Sequence, residues 1–523
     1  MATSRRGAAL RVRPTALEAA RSAWETGAYD DVLQALDGWR GTVRDERLAG
    51  AILRTRALLA VDRADDALAA VEPLVKEAKA ASDALLVAML HGAALVRTGR
   101  RAEGEALLER AAREAPRAAP ALAPEIDYYR ALSRWSTHRL DEAEAIVEAG
   151  LAEARDAVRG RLFQLLGWID VRRENYGAAS HAFIAALEET KRAAAADLKG
   201  RAAILHALAI IASETIDLRL ARLVRREYDA NPWSEATRVE RFHIVECLSW
   251  LALLEGDLRG AWDARQLELT LTVDTSFHAI ALVEAAHISR VVGDRFAEAR
   301  YLDFAGALLL RGDQVALDVE RRVAMLNFIV VAPANTVEAA RKVMTLYERS
   351  RARRSELLAL EDDRRLQAFE RQARGKLLLA ERKTSQGVAE LRRAHELWTQ
   401  LGYRLRAAMA SSDMLTATGD RQYAQAALDA LRNAPKAWLR DSLLQRARED
   451  NPLAQLTPAE RRVLVELCKG RKAREIAETF GRSFNTINNH TRAIFSAFGV
   501  RSRAALVAEC ARLGIVEHLR PER

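Results

Sequence analysis

One local pattern recurs along most of this chain of 523 residues and limits what it can fold into. An apolar helical stretch ends at a short break, an apolar residue follows two positions on, and a small residue comes three later. The copies are Gly27-x-Tyr29-x-x-Val32, Asp62-x-Ala64-x-x-Ala67, Gly99-x-Arg101-x-x-Gly104 and His138-x-Leu140-x-x-Ala143. They continue as Glu174-x-Tyr176-x-x-Ala179, Ile216-x-Leu218-x-x-Ala221 and Gly256-x-Leu258-x-x-Ala261. A less regular copy is read at Asp294-x-Phe296-x-x-Ala299, and a last one near Gly419-Asp420. From Gly27 to Gly256 successive copies are about 35 to 42 residues apart, a period that signals a repeat architecture.

Ala, Leu, Arg and Glu crowd the segments between these breaks, and such side chains lose little rotamer freedom in a helix. No β-branched run alternates with period two, so the expected fold class is all-α. The pattern resembles the tetratricopeptide family, in which each repeat is a pair of antiparallel helices. Its closest copy here is Gly167 followed by Glu174, Tyr176, Ala179, Phe183 and Ala186. The resemblance implies that small residues let paired helices approach while larger ones fill the space between pairs. No single pair buries its own apolar face, so the units are expected to stack into an α-solenoid with a concave surface. The expected organisation is a basic arm over 1–15, repeats over 16–442, a linker over 443–455 broken at Asn451-Pro452, a compact domain over 456–516 and a tail over 517–523.

The net charge of +9 is unevenly placed. Residues 456–520 hold 12 Lys and Arg against 6 Asp and Glu, a balance of +6, which leaves +3 for the rest of the chain. Positive charge concentrated on a small segment is the footprint of a phosphate-backbone binder. Cys247, Cys468 and Cys510 form no C-x-x-C pair and lie on apolar stripes, so each reads as a buried small hydrophobe. No phosphate loop, dinucleotide fingerprint, Ser/His/Asp set or metal-binding signature is present, so no enzyme activity, cofactor or metal is expected. No apolar stretch reaches the roughly 20 residues of a membrane span, and no signal peptide is read. The expected location is the cytoplasm, at the nucleoid.

In the basic segment Thr457, Pro458 and Glu460 form a capping-box start, and Val463, Leu464 and Leu467 make the first helix amphipathic before it stops at Lys469-Gly470. A short helix is expected over Ala473–Phe480, a turn at Gly481-Arg482, and a third helix capped by Ser483 and running to about Phe498. This is helix-turn-helix spacing. The sequences LTPAERRVLVELCKG, REIAETF and TINNHTRAIFSAFGVRSRAALV resemble the LuxR/GerE-type DNA-binding domain across residues 456–516. Two positions depart from that family's pattern: Asn488 stands where Lys is usual, and Thr491 where an apolar residue is usual.

Spacing puts Ile487, Thr491, Ile494 and Phe498 on the inner face of the third helix and Asn485, Asn488, Asn489, Arg492 and Ser496 on the outer one. Asn pairs with adenine and Arg with guanine in the major groove, and the resemblance places contacts at the same positions. The expected base contacts are therefore Asn488, Asn489 and Arg492, and the expected backbone contacts Lys472, Arg474, Arg482, Thr486 and His490. For His490 a hydrogen bond within the domain is an equal reading. By analogy the fourth helix, from Ser502 to about Leu513, pairs two copies through Ala505, Ala508 and Glu509.

The expected function is a sequence-specific transcriptional regulator that binds double-stranded DNA as a homodimer, with the repeats receiving a protein, peptide or small-molecule effector. The alternative is a helical-repeat scaffold or peptide-binding adaptor with a basic docking domain. A sigma-factor-like promoter reader is disfavoured, because no aromatic-rich melting segment precedes the domain.

Overall fold

The computed structural model describes residues 15–41, 43–61, 63–192, 198–233, 237–311, 319–332, 337–354, 364–449, 452–453 and 456–512. Residues 1–14 of the arm expected over 1–15, Asp62 of the second repeat copy, part of the linker, and everything after 512 lie outside the described residues, while Thr15 caps the first helix. The described elements are helices throughout, and among them none is long and apolar enough to cross a membrane. The chain divides into two compact units, Met1–Arg364 with Gln400–Tyr403, and Arg365–Thr399 with Arg404–Arg523.

In the first unit, nine successive helix pairs are described, from Ala16–Glu25 with Tyr29–Ala35 to Val319–Val331 with Val337–Arg354. Seven of these pairs close through a described turn residue in left-handed backbone, which is how a helix ends when the chain must reverse at once. Gly27, Gly99 and Gly256 take this conformation at no steric cost, whereas His138, Glu174 and Ile216 adopt it at φ of 59°, 62° and 58°. The first position of the sequence pattern is therefore the turn itself. Its last position is the contact: Val32, Ala67, Gly104, Ala143, Ala179, Ala221 and Ala261 are all buried. A side chain added at Gly104 would meet the Gly92 carbonyl at 2.6 Å, and one at Gly167 would meet the Phe183 ring at 2.8 Å. Small residues thus set the distance between paired helices.

The copy read at Asp294 is displaced by one residue. Gly293 is the left-handed residue, and the buried contact position is Glu298, not Ala299, which is exposed. A carboxylate is tolerated there because Arg290 and Arg295 pair with it at 2.6 and 2.8 Å. The register shift leaves Phe296 79% exposed.

The second unit adds a pair that the sequence pattern missed, Arg364–Ala380 with Thr384–Gln400, turning at Arg382 with φ of 62°. Gly387 and Gly375 pack there as Gly104 and Gly92 do, with a side chain at Gly387 reaching the Gly375 carbonyl at 2.9 Å. The pair Arg404–Thr418 with Arg421–Ala430 turns at Gly419, as expected. Residues 443–449, expected as linker, instead complete the helix Trp438–Glu449, and Leu443 is buried. Their sequence, LLQRARE, is composed of strong helix formers, so the helix runs on toward the Asn451-Pro452 break.

The core of the first unit contains one fully buried charged cluster. Arg265 and Glu268 pair with no exposed surface, Glu284 lies 3.8 Å from the same guanidinium, and the Glu246 carbonyl accepts from Arg265 at 3.5 Å. Burial pushes the Glu268 carboxyl well above the usual carboxylate range, with Glu246 and Glu284 adding in the same direction against the Arg265 charge. Breaking such a pair costs more than replacing it by apolar groups. Arg265→Gln is expected to cost about 3–5 kcal/mol of stability, whereas Arg265→Met combined with Glu268→Leu recovers most of that loss. Urea unfolding with amide exchange read in helices Arg238–Glu255 and Leu258–Leu271 checks this; equal losses in both variants would contradict it.

Candidate nucleic-acid interface

Four helices, Pro458–Cys468, Ala473–Phe480, Phe484–Ala497 and Arg503–Arg512, enclose a core of Leu456, Val463, Leu464, Leu467, Ile476, Ala477, Ile487, Ile494, Phe498, Leu506 and Cys510. Their bounds agree with the spacing of caps and apolar residues in the sequence. Thr457 opens the first helix: its hydroxyl accepts from the Glu460 N–H at 3.3 Å, and Glu460 accepts from the Thr457 N–H at 2.8 Å. Gly470 and Gly481 turn the chain in left-handed backbone at φ of 89° and 59°. The second helix begins where the Lys472 N–H donates to Glu475 at 2.9 Å. The third begins where Ser483 accepts from the Thr486 N–H at 3.1 Å. Arg503 ties the start of the fourth helix to the end of the first by donating to the Gly470 carbonyl at 2.7 Å.

Ile487 and Ile494 hold the third helix to this core, and Thr491 is half-buried beside them. The Thr491 hydroxyl donates to the Ile487 carbonyl at 2.8 Å, which accommodates a polar residue at a position where an apolar one is usual. Asn485, Asn489, Arg492 and Ser496 are exposed on the opposite face, and Asn488 is partly exposed. Among the described residues no side-chain hydrogen bond or ion pair engages Asn488, Asn489 or Arg492. Lys472, Arg474 and Arg482 are exposed, Arg482 directly before the Ser483 cap.

Two residues expected at the backbone have partners within the domain. The Thr486 hydroxyl lies 2.8 Å from the Ser483 hydroxyl, and His490 Nδ1 lies 3.7 Å from Glu460 Oε1. The His490 contact links the third helix to the cap of the first. On the fourth helix Ala505 and Ala508 are exposed and Glu509 is partly so; Val507, which sequence reasoning omitted, is exposed on another side of the helix.

Sequence reasoning also missed Phe484. It is the first residue of the third helix, it is 44% exposed, and the Arg474 guanidinium lies over its ring at 5.7 Å from the centroid. Only its position one residue past the Ser483 cap marks it in the sequence. Cys468 and Cys510, 42 positions apart in sequence, meet through their thiols. Burial pushes the Cys510 thiol up to about 12, and Cys510 is the buried small hydrophobe expected of it, whereas Cys468, expected to be buried too, is only half-buried. Among the described residues no cluster of His, Cys, Asp or Glu is placed to hold a metal ion.

Residues 454–509 match the family of bacterial regulatory proteins of the luxR family, GerE, and this segment is a LuxR-type helix-turn-helix domain, the DNA-binding part of a transcription regulator. No curated protein matches the chain. Among solved structures it is similar to the Rap protein complexed with competence and sporulation factor, at 12% identity over 73% of this chain and 99% of that one, with a TM-score of 0.36. It is also similar to the human IFIT1 dimer with m7Gppp-AAAA, at 12% identity over 83% of this chain and 98% of that one, with a TM-score of 0.36. Among the described residues the fold is all-α, with tetratricopeptide-like helix pairs followed by the small helix-turn-helix domain.

The Glu460 carboxyl is held below the usual carboxylate range by the Thr457 N–H and hydroxyl, with His490 acting in the same sense. A lowered folded-state value adds stability above the unfolded value, about 4.3, and that contribution is lost as pH falls through the lower one. Amide protection in the first turn of Pro458–Cys468 is therefore expected to fall as pH drops below about 4.3. In Glu460→Gln protection is expected to be lower at neutral pH and flat across that window. A wild-type pH profile that matches the variant's would contradict the role of the cap.

Proposed function

We propose that the chain is a sequence-specific, DNA-binding transcriptional regulator whose third domain helix, residues 483–498, lies in the major groove of double-stranded DNA. One observation carries this reading: three polar side chains of groove-reading type share the outer face of a helix whose inner face is buried, and nothing in the described structure occupies them. Asn488 and Asn489 suit adenine N6 and N7, and Arg492 suits guanine O6 and N7. Lys472, Arg474 and Arg482 then meet phosphates and set the register. Thr486 and His490 reach the backbone only through atoms left free by Ser483 and Glu460, so their part in binding is secondary.

Two copies pair on DNA through the fourth helix, where Ala505, Ala508 and Glu509 share a face. The helical repeats, over 16–442, serve as the module that receives an effector or partner; small-residue packing leaves their outward side chains free to vary. We place the protein at the nucleoid and assign it no catalytic step.

Arg492→Ala is expected to weaken binding to the selected site by about 1–3 kcal/mol and to relax preference at one base pair. Lys472→Ala weakens binding to all sequences and reduces the slope of log K against log salt by about one unit. Asn488→Lys shifts base preference and steepens that slope by about one unit. Uniform losses on selected and random DNA for both Arg492→Ala and Lys472→Ala would contradict the assignment of the outer face to base reading.

A further inference from the structure

We propose that Phe484 determines specificity by packing against the 5-methyl group of one thymine at the edge of the half-site, an inference that rests on the DNA-binding reading above. Phe484 stands outside the domain core, which is filled from the third helix by Ile487, Ile494 and Phe498. Its ring is 44% exposed, so it is open to contact from outside the domain. Its place in the helix is informative. Phe484 is four residues before Asn488, hence one turn from it on the same side, and it sits at the helix N-terminus, the end that meets base edges in helix-turn-helix domains.

The chemistry selects the ligand. Among the groups that base pairs present in the major groove, the thymine methyl is apolar while the others donate or accept hydrogen bonds, and Phe is one of the side chains that contacts it. Arg474 reinforces the arrangement. Its guanidinium lies over the ring at 5.7 Å, so the ring is held from one side by a cation that is itself exposed and free to meet a phosphate. Phe484 thereby couples a backbone contact made by the second helix to a base contact made by the third. Cytosine at the same position offers no methyl, and the pair discriminates against it.

The test uses the full chain and a duplex carrying the site it selects from random DNA. Each thymine is replaced in turn by deoxyuridine, which removes the methyl and keeps every hydrogen-bonding group. One replacement is expected to weaken binding about fourfold, the effect of exposing one buried methyl-sized group. Phe484→Ala is expected to bind the thymine and deoxyuridine duplexes equally at that position while retaining the discrimination that Arg492 confers. If the chain selects a site but every deoxyuridine duplex binds as well as its parent, the role of Phe484 is overturned and the DNA-binding reading stands. A methyl effect that persists in Phe484→Ala overturns it as well. If no site is selected at all, the regulatory reading itself fails, and this inference with it.

Discussion

Paired helices in this chain can approach only where one of them offers almost no side chain, and the helical architecture depends on that close approach. At Gly92 and Gly104 the backbones are so near that a methyl group would lie 2.6 Å from a carbonyl oxygen. Gly375 and Gly387 repeat the arrangement in the second unit, and Gly167 receives the face of Phe183. Once that spacing is set, the turn must reverse the chain within two or three residues, which calls for left-handed backbone at its first position. The repeat pattern is the imprint of these two demands: a residue that tolerates the turn, then a residue small enough for the contact.

The helix-turn-helix domain is organised differently, by caps. Thr457 with Glu460, Lys472 with Glu475, and Ser483 with Thr486 start its first three helices at fixed residues, and Gly470 and Gly481 end the first two. Fixed ends determine rotation, and rotation decides which side chains face outward. This is why a polar face can be assigned on the third helix at all: shifting the start by one residue would turn every side chain by about 100°. The same carboxylate that caps the first helix faces His490 on the third, so the cap and the orientation of the reading helix share a group.

Much of this was legible in the amino-acid sequence, because caps, glycine stops and small-residue contacts are local signals. What was not legible depended on partners distant in the chain. The copy at Asp294 was read one residue late because Ala299 satisfies a small-residue rule, whereas the position is filled by Glu298 with charges from Arg290 and Arg295. The turn at Arg382 escaped because neither Arg nor Lys marks a reversal by itself. Residues 443–449 were assigned to a linker because the break at Asn451-Pro452 is a stronger signal than the helix leading up to it. The meeting of Cys468 with Cys510, the buried charges around Arg265 and the ring of Phe484 under Arg474 are tertiary facts, and no spacing in the sequence encodes them.

The central claim is that the basic domain reads sequence and does not merely attract phosphate. The most direct measurement is competition of the full chain between its best site, selected from a random duplex library, and random duplex at one physiological salt concentration. The account predicts an enriched sequence bound about a thousandfold or more tighter than random DNA, the lower bound for specific regulators. Equal affinity for both duplexes, with the same steep dependence on salt, would contradict it and mark the domain as a basic docking element.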